Sequence, residues 1–355
     1  METLEKSVIA RPAGLLMCPA CRKALAWEDE LTCSGCGKRY LAGGIPCFRD
    51  QGAYFDSLPP KAEMRQMLEI SRTSGYRQAL TGFLASRFPR LVSRTPLAPQ
   101  GRTRGLELLQ PTGQERVLDI GCALGVLSVP LAHRVKQVVA LDATHAALEF
   151  LDLVRTQDGL DNLVPVCNGD PVCLPFSDQY FDWTILNAVF EYLPEAIEEP
   201  DVRKAHLLAL KEVRRVLKPG GRLYLATKNR FSHQNLLGSQ DHNGLRFTAL
   251  LPRSLANAIS KRMGRGAYRT VTYSFREYRK LLNEAGFEAS RFYWPVPDLW
   301  NPEHLVPLTG TRSEMLAALG AVSWSSAAKS AFWRLAASLG LLPSMAPTYI
   351  IVATR

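Results

Sequence analysis

Three carboxylates each follow a short apolar segment, and their spacing suits them to bind a nucleoside. Asp119 lies in the run 117–120, which turns through Gly121, Ala123 and Gly125 into a helix predicted over 127–134. Asp142 closes the run 137–141, and Asp170 follows the run 163–167. A carboxylate after the second strand can accept both ribose hydroxyls, and the next one can accept the exocyclic amine of adenine. Glycines let the backbone turn tightly and approach a ligand, so the sequence predicts a ligand outside the carboxyl ends of parallel strands.

The elements that follow extend this plan in a fixed order. A fourth apolar strand at 181–186 leads into the segment Asn187 to Tyr192, and an amphipathic helix ends at Leu217. The turn 218–221 then precedes a fifth strand at 222–227. Five motifs in this order and spacing favour a cofactor site over an isolated turn. The turn 121–125 lacks the Gly-x-Gly-x-x-Gly pattern, which makes a dinucleotide less suitable than another nucleoside cofactor.

Residues 115–229 resemble the class I S-adenosylmethionine-dependent methyltransferases. The resemblance implies a Rossmann-like α/β sheet of seven strands, six parallel and the last antiparallel, and it implies S-adenosylmethionine as cofactor. It assigns cofactor binding to Asp119, Gly121, Ala123, Gly125, Asp142, Ala143, Asp170, Pro171 and Asn187. Asn187 and Glu191 lie in the segment that borders the methyl acceptor in that family. Ala123 replaces the usual middle glycine, and its methyl group is tolerated if its φ is negative.

Four cysteines near the beginning of the chain form two paired knuckles. Cys18-x-x-Cys21 and Cys33-x-x-Cys36 have the spacing of a tetrahedral zinc site. Two disulfides are the alternative, but a cytosolic enzyme makes them less favourable. Residues 15–48 are similar to small zinc-ribbon proteins related to methyltransferase activators. Because protein ligands fill all four positions, we expect a structural Zn²⁺ rather than a catalytic one.

Composition and charge limit the class of protein. The chain has 355 residues, 46% hydrophobic and 21% charged, with a net charge of +10, as expected for a globular protein of one enlarged or two domains. No secretory signal and no membrane-spanning run are predicted, so we expect a cytoplasmic protein. Between Arg203 and Lys280 there are 18 Lys and Arg residues against three acidic ones. This excess favours an anionic partner, although it could also be a solvated face.

We predict three regions: a zinc ribbon at 1–50, a helical linker or lid at 51–112, and a methyltransferase core at 113–355. Within the core we predict a sixth strand at 287–294 and a seventh at 348–353. Two acceptor-side insertions, 228–272 and 295–346, interrupt it. The helices at 311–342 suit core packing or an oligomer contact, and docking on a membrane surface is a less favoured alternative.

The first insertion contains the candidates for a general base. His242 lies in a polar loop between Asp241 and Asn243, and a histidine there could remove a proton from a hydroxyl or amine. Glu191 and His233 are further catalytic candidates. The alternative is a loop whose Asp and Asn only stabilise turns. Arginines 230, 246 and 253 could bind a phosphate or carboxylate.

Three functions remain open from the sequence. The first is methyl transfer to an anionic acceptor that is a small molecule or glycan-like. The second is an RNA methyltransferase, although Asn187-Ala188-Val189-Phe190 is not the Asn-Pro-Pro-Tyr type of segment found in many base-amine methylators. The third is a catalytically silent methyltransferase-like partner protein.

Overall fold

The computed structural model describes residues 14–27, 31–40, 44–49, 58–98 and 100–355. The chain forms two compact units, which are described separately. The first comprises Met1–Thr103, Gln110–Ile185 and Arg215–Gly221, and the second comprises Arg104–Leu109, Leu186–Arg214 and Arg222–Arg355. Within the described ranges, no helix is both long and apolar enough to cross a bilayer.

The first unit contains a small two-stranded ribbon and five strands of the main sheet. Its strands are β1 (Ala26–Trp27), β2 (Leu31–Thr32), β3 (Cys47–Arg49), β4 (Arg116–Ile120), β5 (Gln137–Asp142), β6 (Leu163–Asn168) and β7 (Phe181–Asn187), the last of which ends in the second unit. The main-sheet order here is β7-β4-β5-β6-β3, and β4, β5, β6 and β3 pair in parallel. Every residue of β5 and β6 is buried, as expected for a parallel sheet covered on both faces.

Helices of the first unit cover the sheet and connect the strands. They are α1 (Lys61–Ser74), α2 (Tyr76–Gln78), the π-helical segment Ala79–Leu84, α3 (Ala85–Arg87), α4 (Pro89–Val92), α5 (Ser128–Ala132) and α6 (His145–Asp158). Tyr76 is 2% exposed and donates its hydroxyl to Asp158 Oδ2 at 2.6 Å. This contact fixes the linker against α6. The helix predicted over 127–134 is shorter than expected. It ends at Ala132, and the Arg134 amide then donates to the Leu131 carbonyl, three residues back, at 2.8 Å, which closes a turn.

The second unit contributes four strands and the two insertions. Its elements are α7 (Val202–Val216, whose last two residues belong to the first unit), β8 (Leu217–Lys228, which begins in the first unit), α8 (His233–Leu236), α9 (Arg253–Arg262), α10 (Phe275–Glu284), β9 (Ala289–Val296), β10 (His304–Pro307), α11 (Arg312–Gly320), α12 (Ala327–Ser338), α13 (Leu342–Met345) and β11 (Thr348–Thr354). Short 3-10 helices span Gln100–Leu109, Phe190–Ala196 and Thr248–Leu250. The strand order is β8-β11-β9-β10, and all three pairs are antiparallel.

The main sheet therefore has nine strands, and the expectation of seven is wrong. One additional strand is β3, which follows the cysteine knuckles and pairs with β6, with Cys47 opposite Cys167. The other is β10 in the second insertion, which pairs with β9. Both segments were too short to be recognised as strands from hydrophobic periodicity. The mostly parallel arrangement and the antiparallel last strand agree with a Rossmann-like methyltransferase fold.

Candidate cofactor and acceptor sites

The turn after β4 is held against the neighbouring strand by backbone hydrogen bonds. The Gly121 and Cys122 amides both donate to the Leu141 carbonyl, at 2.7 and 3.1 Å. Gly121, Ala123 and Gly125 have φ values of 74°, 47° and 83°. The condition of a negative φ at Ala123 is therefore not met, and the residue adopts the left-handed conformation. In this left-handed conformation the Ala123 amide donates a hydrogen bond to Asp142 Oδ2 at 2.9 Å.

Asp142, at the end of β5, is the centre of this hydrogen-bonding arrangement. Besides the Ala123 amide, the carboxylate accepts the Thr144 amide on Oδ1 at 2.8 Å. The side chain is 8% exposed, and burial raises its pKa, while these N–H donors act against the rise. The Thr144 side chain and the Ala143 amide also act as hydrogen-bond donors to this carboxylate and lower its pKa. Ala143 itself is half-buried.

Asp119 has a different environment from the other predicted acids. It is 3% exposed inside β4, and Ser128 Oγ donates to its Oδ2 at 2.6 Å. Burial and the nearby Asp142 charge raise its pKa, and the Ser128 hydrogen bond lowers it. The net pKa is about 6. The hydrogen bond between Ser128 and Asp119 thus links β4 to the start of α5. Ser128 was not among the sequence candidates, because a lone serine after a glycine turn carries no distinctive pattern.

The loop after β6 carries the predicted adenine contacts. Asp170 Oδ1 accepts the Val172 amide at 3.0 Å, and Asn168 Nδ2 donates to the Asp170 carbonyl at 2.8 Å. Pro171 is buried beside them. The loop is therefore held in one conformation by its own side chains.

The same loop continues into the surface on which the cysteine ribbon lies. The Met17 amide donates to the Pro175 carbonyl and the Ser177 amide to the Leu15 carbonyl, both at 3.0 Å. Arg22 Nη1 also donates to the Leu174 carbonyl at 3.3 Å. The ribbon and the loop that begins with Asp170 consequently form one hydrogen-bonded structure.

The four knuckle cysteines meet at one point. Their sulfur atoms all lie within 4.8 Å of one another, with 3.6 Å between Cys18 and Cys36 and 3.4 Å between Cys21 and Cys33. A tetrahedral ZnS₄ centre with Zn–S near 2.3 Å has S···S separations of about 3.8 Å, so the donor set fits zinc. In the described part of the chain all eight cysteines are free of disulfides. Tyr40 contributes a hydroxyl at 3.1 Å from Cys18 Sγ, a contact of the kind that supports metal ligands.

The second unit contains the predicted acceptor-side residues. Asn187 ends β7 and is followed by Ala188, which has a φ of 57°. Glu191 is 0% exposed, and Thr227 Oγ1 donates to its Oε2 at 3.3 Å. Burial raises the pKa of Glu191. Its Oε1 lies 3.6 Å from His242 Nε2, so two candidates from distant parts of the sequence meet.

Tyr192 completes this cluster and was not among the predicted site residues. His242 Nδ1 lies 2.5 Å from the Tyr192 hydroxyl. Burial and the positive charge of Lys228 lower the pKa of His242 to about 4, so the ring is neutral near pH 7. We assign the tautomer in which Tyr192 donates to Nδ1 and Nε2–H faces Glu191. Tyr192 is then hydrogen-bonded to His242, whose Nε2 lies 3.6 Å from the Glu191 carboxyl group.

The flanking loop residues and the other candidates have structural contacts. Asp241 accepts four hydrogen bonds, from the Asn243 and Leu245 amides and from the Thr248 and Tyr268 hydroxyls. The turn-stabilising role considered for this loop therefore applies to Asp241. His233 packs edge-on against Trp333, with ring centroids 5.3 Å apart. Arg230 donates to two carbonyls and forms an ion pair with Glu277 at 3.1 Å, so its guanidinium group is bound by groups of the protein itself.

Similarity to known proteins is concentrated in the segment that holds these strand ends. Residues 118–225 match the family model described as a methyltransferase domain. The match includes the turn 121–125, Asp142, Asp170 and Glu191, and it supports the resemblance to class I methyltransferases. The cysteine ribbon, His233 and His242 lie outside it.

Individual relatives match over similarly limited lengths. The chain is 34% identical over 93 residues to an uncharacterized RNA methyltransferase of Thermosynechococcus vestitus, which is 26% of this chain and 21% of that protein. It is 34% identical over 116 residues to a cypemycin N-terminal methyltransferase of Streptomyces sp, which is 33% of this chain and 43% of that protein. The chain thus spans less than half the length of these relatives. A solved phosphoethanolamine N-methyltransferase 2 of Haemonchus contortus has 13% identity and a TM-score of 0.44, covering 81% of this chain and 60% of that one.

Proposed function

We propose that this protein transfers a methyl group from S-adenosylmethionine to an acceptor. The observation that carries the proposal is the arrangement at the carboxyl ends of β4, β5 and β6, where a glycine turn, a fixed Asp142 carboxylate and the Asp170 loop follow neighbouring parallel strands. The methyltransferase-domain match over the same segment supports it. When bound, the cofactor supplies an electrophilic methyl group for an in-line displacement.

In this proposal the first unit binds the cofactor. Asp142, which its backbone donors hold in place, accepts the ribose hydroxyls. The turn with Gly121, Ala123 and Gly125 holds the methionine portion, and the loop with Asp170 and Pro171 holds the adenine. Zn²⁺ bound by the four knuckle cysteines would stabilise the ribbon that supports this loop.

The second unit, in the same proposal, removes a proton from the acceptor. Tyr192 oxygen takes the acceptor proton as the Tyr192 hydrogen passes to His242 Nδ1. Glu191 then faces an imidazolium, whose charge it compensates. The low pKa of His242 keeps the ring neutral before the transfer, and formation of the imidazolium then requires an ionised Glu191, whose Oε1 lies 3.6 Å from Nε2, to stabilise its charge. Asn187 lies at the end of β7, next to this segment.

For the acceptor we propose a small-molecule or glycan-like anion. The net charge of +10 and the excess of basic residues between Arg203 and Lys280 support this class. RNA is the second candidate, favoured by the RNA methyltransferase among the relatives. Tritiated methyl transfer to a panel of carboxylate- and phosphate-bearing small molecules, and separately to total RNA, distinguishes the two.

Calorimetric titration with S-adenosylmethionine tests the proposal before any acceptor is known. We expect saturable binding, and we expect Asp142→Asn to weaken it by about tenfold or more, because a charge-assisted hydrogen bond is lost. Asp161→Asn removes an exposed carboxylate from the same unit and should leave affinity unchanged. Absence of binding by the unaltered protein at millimolar cofactor would reject the enzyme and favour the silent partner protein.

A further inference from the structure

Exposed large apolar side chains are concentrated in the two insertions. Eleven are found in the described part of the chain, and ten of them lie within 228–272 or 295–346: Phe231, Leu236, Leu237, Phe247, Leu255, Met263, Phe332, Leu335, Leu339 and Leu341. Leu208 is the remaining one. Leu237 is 81% exposed, Leu339 63% and Met263 60%. Exposed apolar residues scattered singly are ordinary, but a concentration of this kind marks an interaction surface.

Contacts between the insertions join these side chains into one surface. A Cβ added to Gly238 would lie 2.7 Å from Phe247 Cζ, so the Phe247 ring lies beside the backbone that follows Leu237. Helices α8 and α9 both contact the 3-10 turn that begins at Thr248. His233 of α8 packs against Trp333 of α12, and Phe332 packs against the same ring at 5.0 Å. We call this the insertion surface.

The segments that carry the exposed apolar side chains are predominantly basic. The exposed acids Asp298, Glu303 and Glu314 lie in the part of the second insertion that has no exposed large apolar side chain. Residues 228–272 contain eight Lys and Arg and a single acidic residue, Asp241, whose two oxygens accept four internal hydrogen bonds. Residues 321–347 contain Lys329, Arg334 and no acidic residue. On α9, Leu255 and the exposed Arg262 are seven positions apart and so share one helical face. Apolar and basic groups are therefore interleaved.

We propose that the insertion surface docks on an anionic lipid bilayer. Large apolar side chains would enter the headgroup region, while the basic side chains contact lipid phosphates. A second copy of this chain fits less well, because two basic surfaces would repel each other. Single-stranded RNA also fits less well, because most of the exposed apolar groups are aliphatic leucines and a methionine, which cannot stack on bases as aromatic rings do.

Cosedimentation of the full chain with lipid vesicles tests this proposal without cofactor or acceptor, so its outcome is independent of the proposed methyl transfer. We expect binding to phosphatidylcholine vesicles that contain phosphatidylglycerol, and weaker binding as salt increases. The double variant Leu236→Ser, Leu237→Ser should lose about tenfold in partitioning. Leu208→Ser, which removes the exposed leucine outside the insertions, should bind as the unaltered protein does.

The electrostatic part of the proposal has its own matched pair of variants. Lys261→Gln with Arg262→Gln on α9 should reduce partitioning by about tenfold. Arg279→Gln with Lys280→Gln removes two adjacent, exposed basic residues from α10 in the same unit and should have little effect. Equal binding to pure phosphatidylcholine vesicles, tighter binding to RNA than to anionic vesicles, or a stable dimer that the leucine variant dissociates would each overturn the proposal.

Discussion

Replacement of Asp119 by asparagine should stabilise the protein, and more strongly at high pH than at low pH. Asp119 is buried in β4, where its pKa rises from an ordinary 3.8 to about 6. Asparagine has nearly the same shape, and its amide oxygen can still accept the Ser128 hydroxyl that lies 2.6 Å from the carboxylate. The variant therefore removes the ionisation and keeps the hydrogen bond.

The direction of the effect follows from proton linkage. Because the folded-state pKa is the higher one, the folded protein retains a proton between pH 4 and 6 that the unfolded chain has lost. The free energy of unfolding consequently falls as pH rises through this window, by about 3 kcal/mol in total. About half of that loss, roughly 1.4 kcal/mol, occurs between pH 5 and pH 8. The advantage of Asp119→Asn over the unaltered protein should therefore grow by that amount.

Urea denaturation of both proteins at pH 5 and pH 8 measures this difference. Loss of the proposed zinc at the lower pH would affect both proteins equally and would cancel in the comparison. Asp161→Asn, at an exposed position of the same unit, is the control for removing a carboxylate and should show the same stability change at both pH values. An effect of Asp119→Asn that does not depend on pH, or one that reverses its sign, would refute the reasoning.

Three further predictions concern the first unit. Ala123→Gly should increase the free energy of unfolding by about 0.5 to 1 kcal/mol in urea denaturation, because glycine relieves a left-handed φ of 47° at a small entropic cost; a decrease would contradict this. Gly125→Ala should cost about 2 kcal/mol or more, since the new methyl would lie 2.5 Å from Leu151 Cδ1, whereas Gly159→Ala has open space and should cost only about 1 kcal/mol. Chelation of zinc should weaken S-adenosylmethionine binding by about tenfold in calorimetry, and an unchanged affinity would show that the ribbon does not support the adenine loop.

Strands β4, β5 and β6 of the first unit could be predicted from sequence, because each is a continuous apolar run with a polar end. The segments 137–141 and 163–167 became β5 and β6 with boundaries within one residue. The conformation of Ala123 could not be predicted in this way. In its left-handed conformation Ala123 donates a hydrogen bond to Asp142, which is 19 positions away in the sequence. Local conformational propensity does not predict a contact with a residue so distant in sequence.

The sequence also did not predict that Glu191, Tyr192 and His242 form one cluster. Glu191 and His242 are candidates for separate reasons: Glu191 follows the fourth strand, and His242 lies in a polar, turn-prone loop close in sequence to the active edge. Their 3.6 Å separation depends on the fold of the first insertion, where Asp241 fixes the loop through four hydrogen bonds. Tyr192 had no signal of its own, because a tyrosine after a strand is usually a packing residue.

In the proposed function, zinc in the ribbon would act on the bound cofactor without touching it. Its strand β3 extends the main sheet by pairing with β6, and its first knuckle is hydrogen-bonded to the segment 174–177. Both contacts flank the loop of Asp170 and Pro171, one through the strand before it and the other through the residues after it. Zinc would fix the ribbon, and the ribbon would then limit the conformations of that loop. A Cys₄ centre is suited to this structural role, because four protein ligands fill the zinc coordination sphere and leave no position for a substrate.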